Sequence, residues 1–476
     1  MRNLSTLAWR VYDAPTKPWH GVVADTEGDD SVYVLRVERR DGVSQLTLAH
    51  ITPTGTEELA VLEVASAPPH VPDVADFRLL ADGGSSVNHM PAICVIGSGG
   101  DIVLMPVDEE ASAPAEVVGS VDQGILAAAW SPEEDVLVLI TGGEKRLIVM
   151  TREFEVMSET MLSTEAFGDD QPVNVGWGSK STQFHGSEGK QAAMAAANAP
   201  EESDPRGPLV PEDDGLPRIS WRGDGAFFVT SSAEASHDTV HRILRTYTRT
   251  GTLSATSDRS VRGISHVLAC RPTGNLIATT QRMGGPWAPG RHGRHDVVFF
   301  ERNGLRHGEF SLREEHGSVP DVPGVSAEPL PPWSCEHQIR LVSWNADGSV
   351  LAVVLQRAGL HVLQLWTSGN YHWYLKHEST YEHLHAMTWH PEQPLTWYVS
   401  HARVEKRTMC LETACSRGMP PHDAACASVV DGHMLYLTPF RLQNVPPPMC
   451  AVAIVDTPQH TVPHVPPATP VHVAWT

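Results

Sequence analysis

The sequence is poor in positive charge and has no long apolar run. Lys and Arg number 35 against 57 Asp and Glu, which gives a formal net charge of −22. A polyanion such as tRNA would therefore meet net repulsion from the chain as a whole, although a local basic patch can still bind it. Since no apolar stretch approaches the ~20 residues that a bilayer requires, the sequence excludes a membrane-spanning protein.

Cysteine is scarce, and a secretory signal is lacking. The seven cysteines form an odd, scattered set, which is a poor disulfide framework and fits a reducing compartment. Residues 1–13 contain no apolar segment of the kind that a secretory signal requires. We therefore expect a cytoplasmic protein, with the nucleus as a second location.

Turn-forming residues, in contrast, are abundant. The 38 Gly and 37 Pro favour many short strands over long helices. A hydrophobic fraction of 41% and a charged fraction of 19% allow a sizeable core. The 476 residues suit one large β domain or two to three ordinary domains.

One pattern recurs along the chain: two apolar residues around a small one, then a Trp, a turn and an apolar strand. The equivalent positions of its five copies are Trp130, Trp221, Cys270, Trp344 and Trp389.

A second pattern follows each of the first four copies, and consists of an apolar strand that ends in an aromatic residue or Met. Its end residues are Met150, Tyr247, Phe300 and Trp366. Two strands joined by a turn are typical of a propeller blade, in which the Trp would fill the space between neighbouring blades.

Two earlier segments predict further blades. The segments that start at Ser31 and Ala92 read as hairpins, with turns at Asp41-Gly42 and at residues 97–101. Together the copies predict an all-β fold, a seven-bladed WD40-like β-propeller, which closes by pairing of the N-terminal strand with the last blade. The Trp-Asp dipeptide is absent, so this is a degenerate form of the repeat.

The wider gaps between copies predict loops. An acidic, Pro-rich insert falls within residues 190–217, and further loops are expected at 283–296 and 314–336. The final residues PVHVAWT resemble the opening of another repeat. We therefore expect a first propeller over residues 1–440, and the junction and first strands of a second, truncated propeller over 441–476.

Catalytic and metal motifs are weak. The glycines at 97–100 precede a strand and indicate a β-turn, and GSEGKQ from Gly186 lacks the first Gly and the Ser or Thr of a phosphate-binding loop. Cys410, Cys415, His422 and Cys426 have zinc-binding chemistry without the spacing of a compact site. No G-x-S-x-G elbow is present. We predict no catalytic residue, no metal site and no cofactor, and hence a protein that is not an enzyme.

Residues 175–190, VGWGSKSTQFHGSEGK, are too polar for a core strand and too aromatic for a plain linker. They indicate either a loop that docks on a partner or a loop folded against its own propeller. The candidate partner-binding residues are Trp177, Lys180, Gln183, Phe184 and His185.

This segment resembles the signature of a known family, that of the largest, scaffold subunit of the Elongator complex. Blocks in the same order along the chain agree, among them WRGDG, FFERNGLRHG, WNADGSVLAV, LWTSGNYHWYLK and VPPPMC. The resemblance covers essentially the whole chain. It implies two N-terminal propellers that are followed by helical and dimerisation regions absent from this sequence.

The resemblance also implies a function. Elongator installs carboxymethyl-type groups at C5 of the wobble uridine, U34, of certain tRNAs, and its chemistry lies in a radical-SAM and acetyltransferase-like subunit. The implied role of this chain is a non-catalytic scaffold that binds that subunit and a second WD40 subunit, meets tRNA only indirectly, and belongs to a homodimer of the full-length protein.

Two alternatives remain. A propeller could contact tRNA directly through the compact basic cluster of Arg291, His292, Arg294 and His295, with a steep salt dependence. The net charge of −22 argues against this. A propeller enzyme would require polar residues that converge at a central channel.

Overall fold

The part of the chain described by the computed structural model contains β-strands and no helix. Within that part, no segment therefore has the helical length and hydrophobicity that crossing a membrane would require. The described residues are 2–12, 18–26, 30–81, 91–107, 114–162, 207–236, 239–258, 261–284, 288, 293–312, 338–357, 359–442 and 451–456.

These strands fall into two compact units. One comprises Lys17–Leu312, and the other combines Met1–Thr16 with Arg313–Thr476. In the described ranges every sheet has four strands, all paired antiparallel.

The Lys17–Leu312 unit holds five sheets, each made of four strands that are consecutive in the sequence. The strands, sheet by sheet, are β2 (Gly21–Ala24), β3 (Val32–Arg40), β4 (Val43–Thr52) and β5 (Gly55–Ala65); β6 (Val74–Leu80), β7 (Ala92–Gly97), β8 (Asp101–Pro106) and β9 (Glu116–Ser120); β10 (Ile125–Trp130), β11 (Val136–Thr141), β12 (Arg146–Thr151) and β13 (Val156–Met161); β14 (Arg218–Trp221), β15 (Phe227–Ser236), β16 (Thr239–Thr248) and β17 (Leu253–Thr256); β18 (Ala269–Cys270), β19 (Ile277–Arg282), β20 (His295–Phe300) and β21 (Arg306–Ser311).

The second unit holds three sheets. Its strands are β1 (Asn3–Tyr12); β22 (Gln338–Trp344), β23 (Leu351–Arg357), β24 (Leu360–Gly369) and β25 (His372–Tyr381); β26 (Ala386–Trp389), β27 (Thr396–Ser400) and β28 (Val404–Glu412); β29 (Ala414–Cys415), β30 (Cys426–Asp431), β31 (Met434–Pro439) and β32 (Ala453–Asp456).

The predicted pairing of the N-terminal strand with the last repeat is confirmed. β1 forms the outer edge of the β26–β28 sheet, where Asn3 lies opposite Glu412 and Tyr12 lies opposite Val404. A bulge between Thr6 and Ala8 leaves Leu7 without a partner in this ladder. The two ends of a long stretch of chain are thereby joined in one sheet.

The two repeated patterns occupy equivalent places in their sheets. In each of four sheets, the Trp or Cys of the first pattern lies on the first strand, opposite a residue of the second strand. That residue lies opposite the end residue of the second pattern, which is on the third strand. These cross-strand rows are Trp130–Leu137–Met150, Trp221–Phe228–Tyr247, Cys270–Ile277–Phe300 and Trp344–Leu351–Trp366.

The row residues also bind the preceding sheet, as predicted for the Trp positions. Trp221 donates its Nε1–H to the carbonyl of Ala129 at 3.1 Å, and Trp389 donates to Ser343 at 3.4 Å. Cys270 makes the same link through its amide and thiol, which bond to Ser220. At these three positions a hydrogen bond therefore joins neighbouring repeats in addition to apolar packing.

The turn between the first two strands of these repeats is also repeated. Glu134, Gly225, Gly274 and Gly348 all have φ between 60° and 84°, the left-handed region that favours glycine. Hairpins are confirmed at Asp41-Gly42, between β3 and β4, and at the turn between β7 and β8.

Seven four-stranded sheets lie within the described part of residues 3–412, in agreement with the seven predicted blades. The β29–β32 sheet adds an eighth and contains strands on both sides of the expected boundary at 440/441. That boundary stays a prediction. The loop expected over 283–296 ends earlier, because His295 and Asp296 pair with Arg282 and Gln281 in β19.

Candidate interaction surfaces and buried charge clusters

The partner-binding candidates Trp177, Lys180, Gln183, Phe184 and His185 lie outside the described residues, as do Arg291 and His292. Most of the expected insert within 190–217 also lies outside them. Its last residues, 207–217, are described, and they carry the carboxylates discussed below. The role predicted for these candidates stays a prediction.

Arg294 and His295 are described, and both face carboxylates. Arg294 donates to the buried Asp296 at 2.6 Å. His295 is 1% exposed in β20, with its Nε2 at 3.4 Å from Glu212 Oε1. The basic cluster that was predicted as a nucleic-acid contact is therefore divided between a strand interior and residues that are not described.

Three consecutive carboxylates in residues 207–217 bind arginines on strands of two sheets. Glu212 accepts a hydrogen bond from Arg282 Nη1 at 2.5 Å, and both side chains are almost fully buried. Asp213 and Asp214 bind Arg242 and Arg218 respectively. We call this set of three carboxylates and three arginines the carboxylate clip.

The clip is balanced in charge, which is what burial requires. A buried ion loses its hydration, and only a partner in good geometry offsets that loss. Burial raises the pKa of Glu212, while the Arg282 charge acts to lower it. The clip therefore fixes the described end of the insert to the β14–β17 and β18–β21 sheets.

His266 adjoins the clip and brings it close to the chemistry of a metal site. One donor atom each from Asp213, Asp214 and His266 lies within 4.8 Å of the others. Burial lowers the pKa of His266 to about 4, so the imidazole is neutral at pH 7. Both carboxylates are already bound by guanidinium groups, and a cation would have to displace them, so we assign no metal here.

The cysteines considered for zinc are dispersed. In the described ranges, Cys410, Cys415, His422 and Cys426 do not bring donor atoms together as a metal-binding group. Cys410 instead lies near the carbonyl of Ser5 across the β1–β28 pair, with its sulfur at 3.6 Å.

The outer strand β1 exposes an apolar row that the sequence analysis did not single out. Leu7 is 68% exposed, Trp9 61% and Val11 39%. Trp9 is held flat on the sheet, because its Nε1–H bonds to Glu405 at 3.1 Å and Arg407 lies 5.0 Å from its ring. The alternation of apolar residues in LAWRV is the signal from which this row could have been found.

A second exposed aromatic residue lies at the tip of the β24–β25 hairpin. Tyr371 is fully exposed, and both it and Asn370 have positive φ values, 60° and 51°. Tyrosine is unusual in a left-handed turn position, where Gly is preferred. This tip belongs to the block GNYHWYLK, which contributed to the family resemblance but was not proposed as a site.

Two family models match the chain. The model described as the ELP1 first N-terminal beta-propeller matches residues 1–392, and that of the ELP1 N-terminal second beta-propeller matches residues 429–460. Among solved structures, Raptor of Chaetomium thermophilum aligns with 88% of this chain and 29% of its own, at 10% identity and a TM-score of 0.49. That likeness carries no argument about function.

Curated relatives match along most of the chain. Elongator complex protein 1 of Mus musculus is 33% identical over 96% of this chain and 31% of its own length. The Schizosaccharomyces pombe protein of the same name is 35% identical over 75% of this chain and 26% of its own length, and the Oryctolagus cuniculus protein 37% over 76% and 25%. The chain thus spans about a quarter to a third of these relatives. It belongs to the Elongator complex protein 1 family and has the β-propeller fold of that family.

Proposed function

We propose that this chain is a non-catalytic scaffold part of the Elongator complex, which supports C5 carboxymethyl-type modification of U34 in tRNA by organising the catalytic and accessory subunits. The observation that carries the proposal is the family match, which extends over 96% of the chain in the Mus musculus relative. A cytoplasmic location, with the nucleus as a second one, belongs to the same proposal.

The proposed partners are the radical-SAM and acetyltransferase-like subunit and a second WD40 subunit. Sheets joined by repeated hydrogen bonds between Trp positions and preceding strands provide rigid surfaces for such partners. Rigid surfaces bind with less loss of conformational entropy than mobile ones. Homodimerisation of the longer protein is proposed for regions outside this chain.

Indirect contact with tRNA is favoured over direct contact. The net charge of −22 opposes a polyanion, and the described members of the basic cluster, Arg294 and His295, already face Asp296 and Glu212. Direct binding would instead appear as an affinity for tRNA that falls steeply with salt.

A quantitative capture experiment tests the proposal. The 476-residue chain is immobilised and offered the purified catalytic subunit of Elongator at about 0.1 M and about 0.5 M salt. The higher salt shortens the distance over which exposed charges interact to a few ångströms, so it weakens contacts that depend on such charges. Near-stoichiometric capture that survives the higher salt supports a scaffold with a packed interface. Absence of capture at both concentrations contradicts it.

Three variants then locate the contact. Trp177→Ala combined with Phe184→Ala removes the aromatic side chains of the candidate loop, while Trp9→Ala and Tyr371→Ala remove the exposed aromatic side chains of β1 and of the β24–β25 hairpin. We expect the loop variant to reduce capture at least tenfold with an unchanged melting temperature, since aromatic anchors dominate interfaces. A lowered melting temperature in the isolated chain would instead assign the loop to intramolecular packing.

A further inference from the structure

A buried polar junction connects three sheets in the unit that contains both chain ends. Asn3, at the start of β1, is 3% exposed and uses both ends of its amide. Its Nδ2 donates to the carbonyl of Ser428 at 3.0 Å, and its Oδ1 accepts from the amide of Val430 at 2.9 Å. One side chain of β1 is thereby hydrogen-bonded to the backbone of β30 in a neighbouring sheet.

Lys376 of β25 enters the same junction. It is 1% exposed, and its Nζ donates to the Val430 carbonyl at 2.8 Å and to Asn3 Oδ1 at 3.3 Å. The ammonium also lies 4.7 Å from the ring centroid of Tyr374. A buried lysine is rare without such partners, because its charge must otherwise be stripped of water.

Asp431, the last residue of β30, completes the junction. It is fully buried and accepts hydrogen bonds from the amide of Leu375 at 2.9 Å, while its second oxygen lies 3.3 Å from His372 Nε2. The Gly432 amide donates to the Leu375 carbonyl at 2.7 Å. Each of these contacts ties the β29–β32 sheet to β25 or to β1.

We propose that Asn3, Lys376 and Asp431 form a polar latch, through which the N-terminal strand holds the β29–β32 sheet against β25. The second family model begins within this sheet, at residue 429. The latch therefore makes the placement of that sheet conditional on the third residue of the chain, which belongs to the sheet of β26–β28. This inference does not depend on the proposed role in Elongator.

Polar groups suit this role better than apolar ones because they fix register. An apolar contact tolerates sliding, whereas the Asn3 amide satisfies one backbone carbonyl and one backbone amide of β30 at the same time. If Asn3 withdraws, both backbone groups and one Lys376 hydrogen bond lose their partner in a dry environment. Opening the latch is therefore energetically unfavourable.

Hydrogen exchange of the 476-residue chain, followed by mass spectrometry, tests the latch. In Asn3→Ala we expect amides of residues 426–439 to exchange at least tenfold faster, because the three hydrogen bonds of the Asn3 side chain are lost. Amides of β27 and β28 should change less than threefold. Asn3→Asp keeps the acceptor for Val430 and Lys376 but loses the donor to the Ser428 carbonyl, and should therefore restore only part of the protection.

Two further variants keep the test decisive. Ser5→Ala is the matched control, since Ser5 is a buried residue of the same strand whose hydroxyl bonds to Glu412 within its own sheet. It should leave residues 426–439 protected. Lys376→Met retains the stem and should loosen these residues as Asn3→Ala does. Unchanged exchange there in both latch variants, or an equal increase in β27 and β28, would overturn the proposal.

Discussion

The ionisation of Lys376 gives the most specific prediction from this structure. Burial lowers the pKa of its ammonium from 10.5 to about 7, although the nearby Asp431 acts to raise it. Because the folded pKa lies below the ordinary value, the unfolded chain binds the extra proton between pH 7 and 10.5. Stability should therefore rise with pH across that window, and this group should contribute no pH dependence below it.

The size of the effect follows from the two pKa values. One proton bound in the unfolded state but not in the folded state changes stability by about 1.4 kcal/mol per pH unit. Since Lys376 is half protonated in the fold at pH 7, the gain between pH 7 and pH 9 is about 2 kcal/mol. The side chain is 1% exposed, so solvent screening reduces this little.

Urea unfolding at pH 7 and pH 9 measures this gain, with Lys376→Met as the reference. Other titrating groups act in both proteins, so the difference between their pH dependences isolates the lysine. The groups that face its amine are Asp431, Asn3 and Tyr374, and burial raises the pKa of Tyr374 out of this range. Equal pH dependence in the two proteins would refute the lowered pKa of Lys376 in this dry junction.

Three further outcomes are expected. Glu212→Gln should lower the free energy of unfolding by about 3 kcal/mol, because it removes the negative charge that faces the buried Arg282, and Arg282→Met in that variant should recover stability; urea titrations of both decide this. Gly100→Ala should cost about 2 kcal/mol more than Gly42→Ala, because both have positive φ but only at Gly100 would the new Cβ lie 2.2 Å from a backbone oxygen, and melting temperatures would show no difference if the clash were relieved. Trp221→Phe should cost about 1 kcal/mol through the lost indole hydrogen bond, and an unchanged urea midpoint would contradict the inter-sheet role of that bond.

The repeat could be predicted because its physics is local. A Trp before a tight turn and an aromatic residue after an apolar strand recur at fixed places, and the structure aligns them in rows such as Trp221–Phe228–Tyr247. The closing strand followed from the predicted propeller, whose ring closes when the N-terminal strand pairs with the last blade. Such signals remain visible although the Trp-Asp dipeptide is absent.

The latch and the carboxylate clip could not be predicted in this way. Asn3 and Val430 are separated by 427 positions, and neither residue type stands out in its segment. Glu212 lies in a run that reads as a solvated acidic insert, yet its carboxylate is buried against Arg282. Only the fold shows which of many charges are paired, because burial and partner geometry are properties of the tertiary structure.

The scaffold role makes a prediction that separates binding from chemistry. The amount of catalytic subunit captured by this chain, and the modification activity of each captured molecule, can be measured in the same samples for the original chain and for Trp177→Ala with Phe184→Ala. If the chain organises the complex without taking part in the reaction, capture should fall at least tenfold in the variant while the activity per captured molecule stays the same. A variant that captures normally but loses activity per molecule would contradict a non-catalytic scaffold.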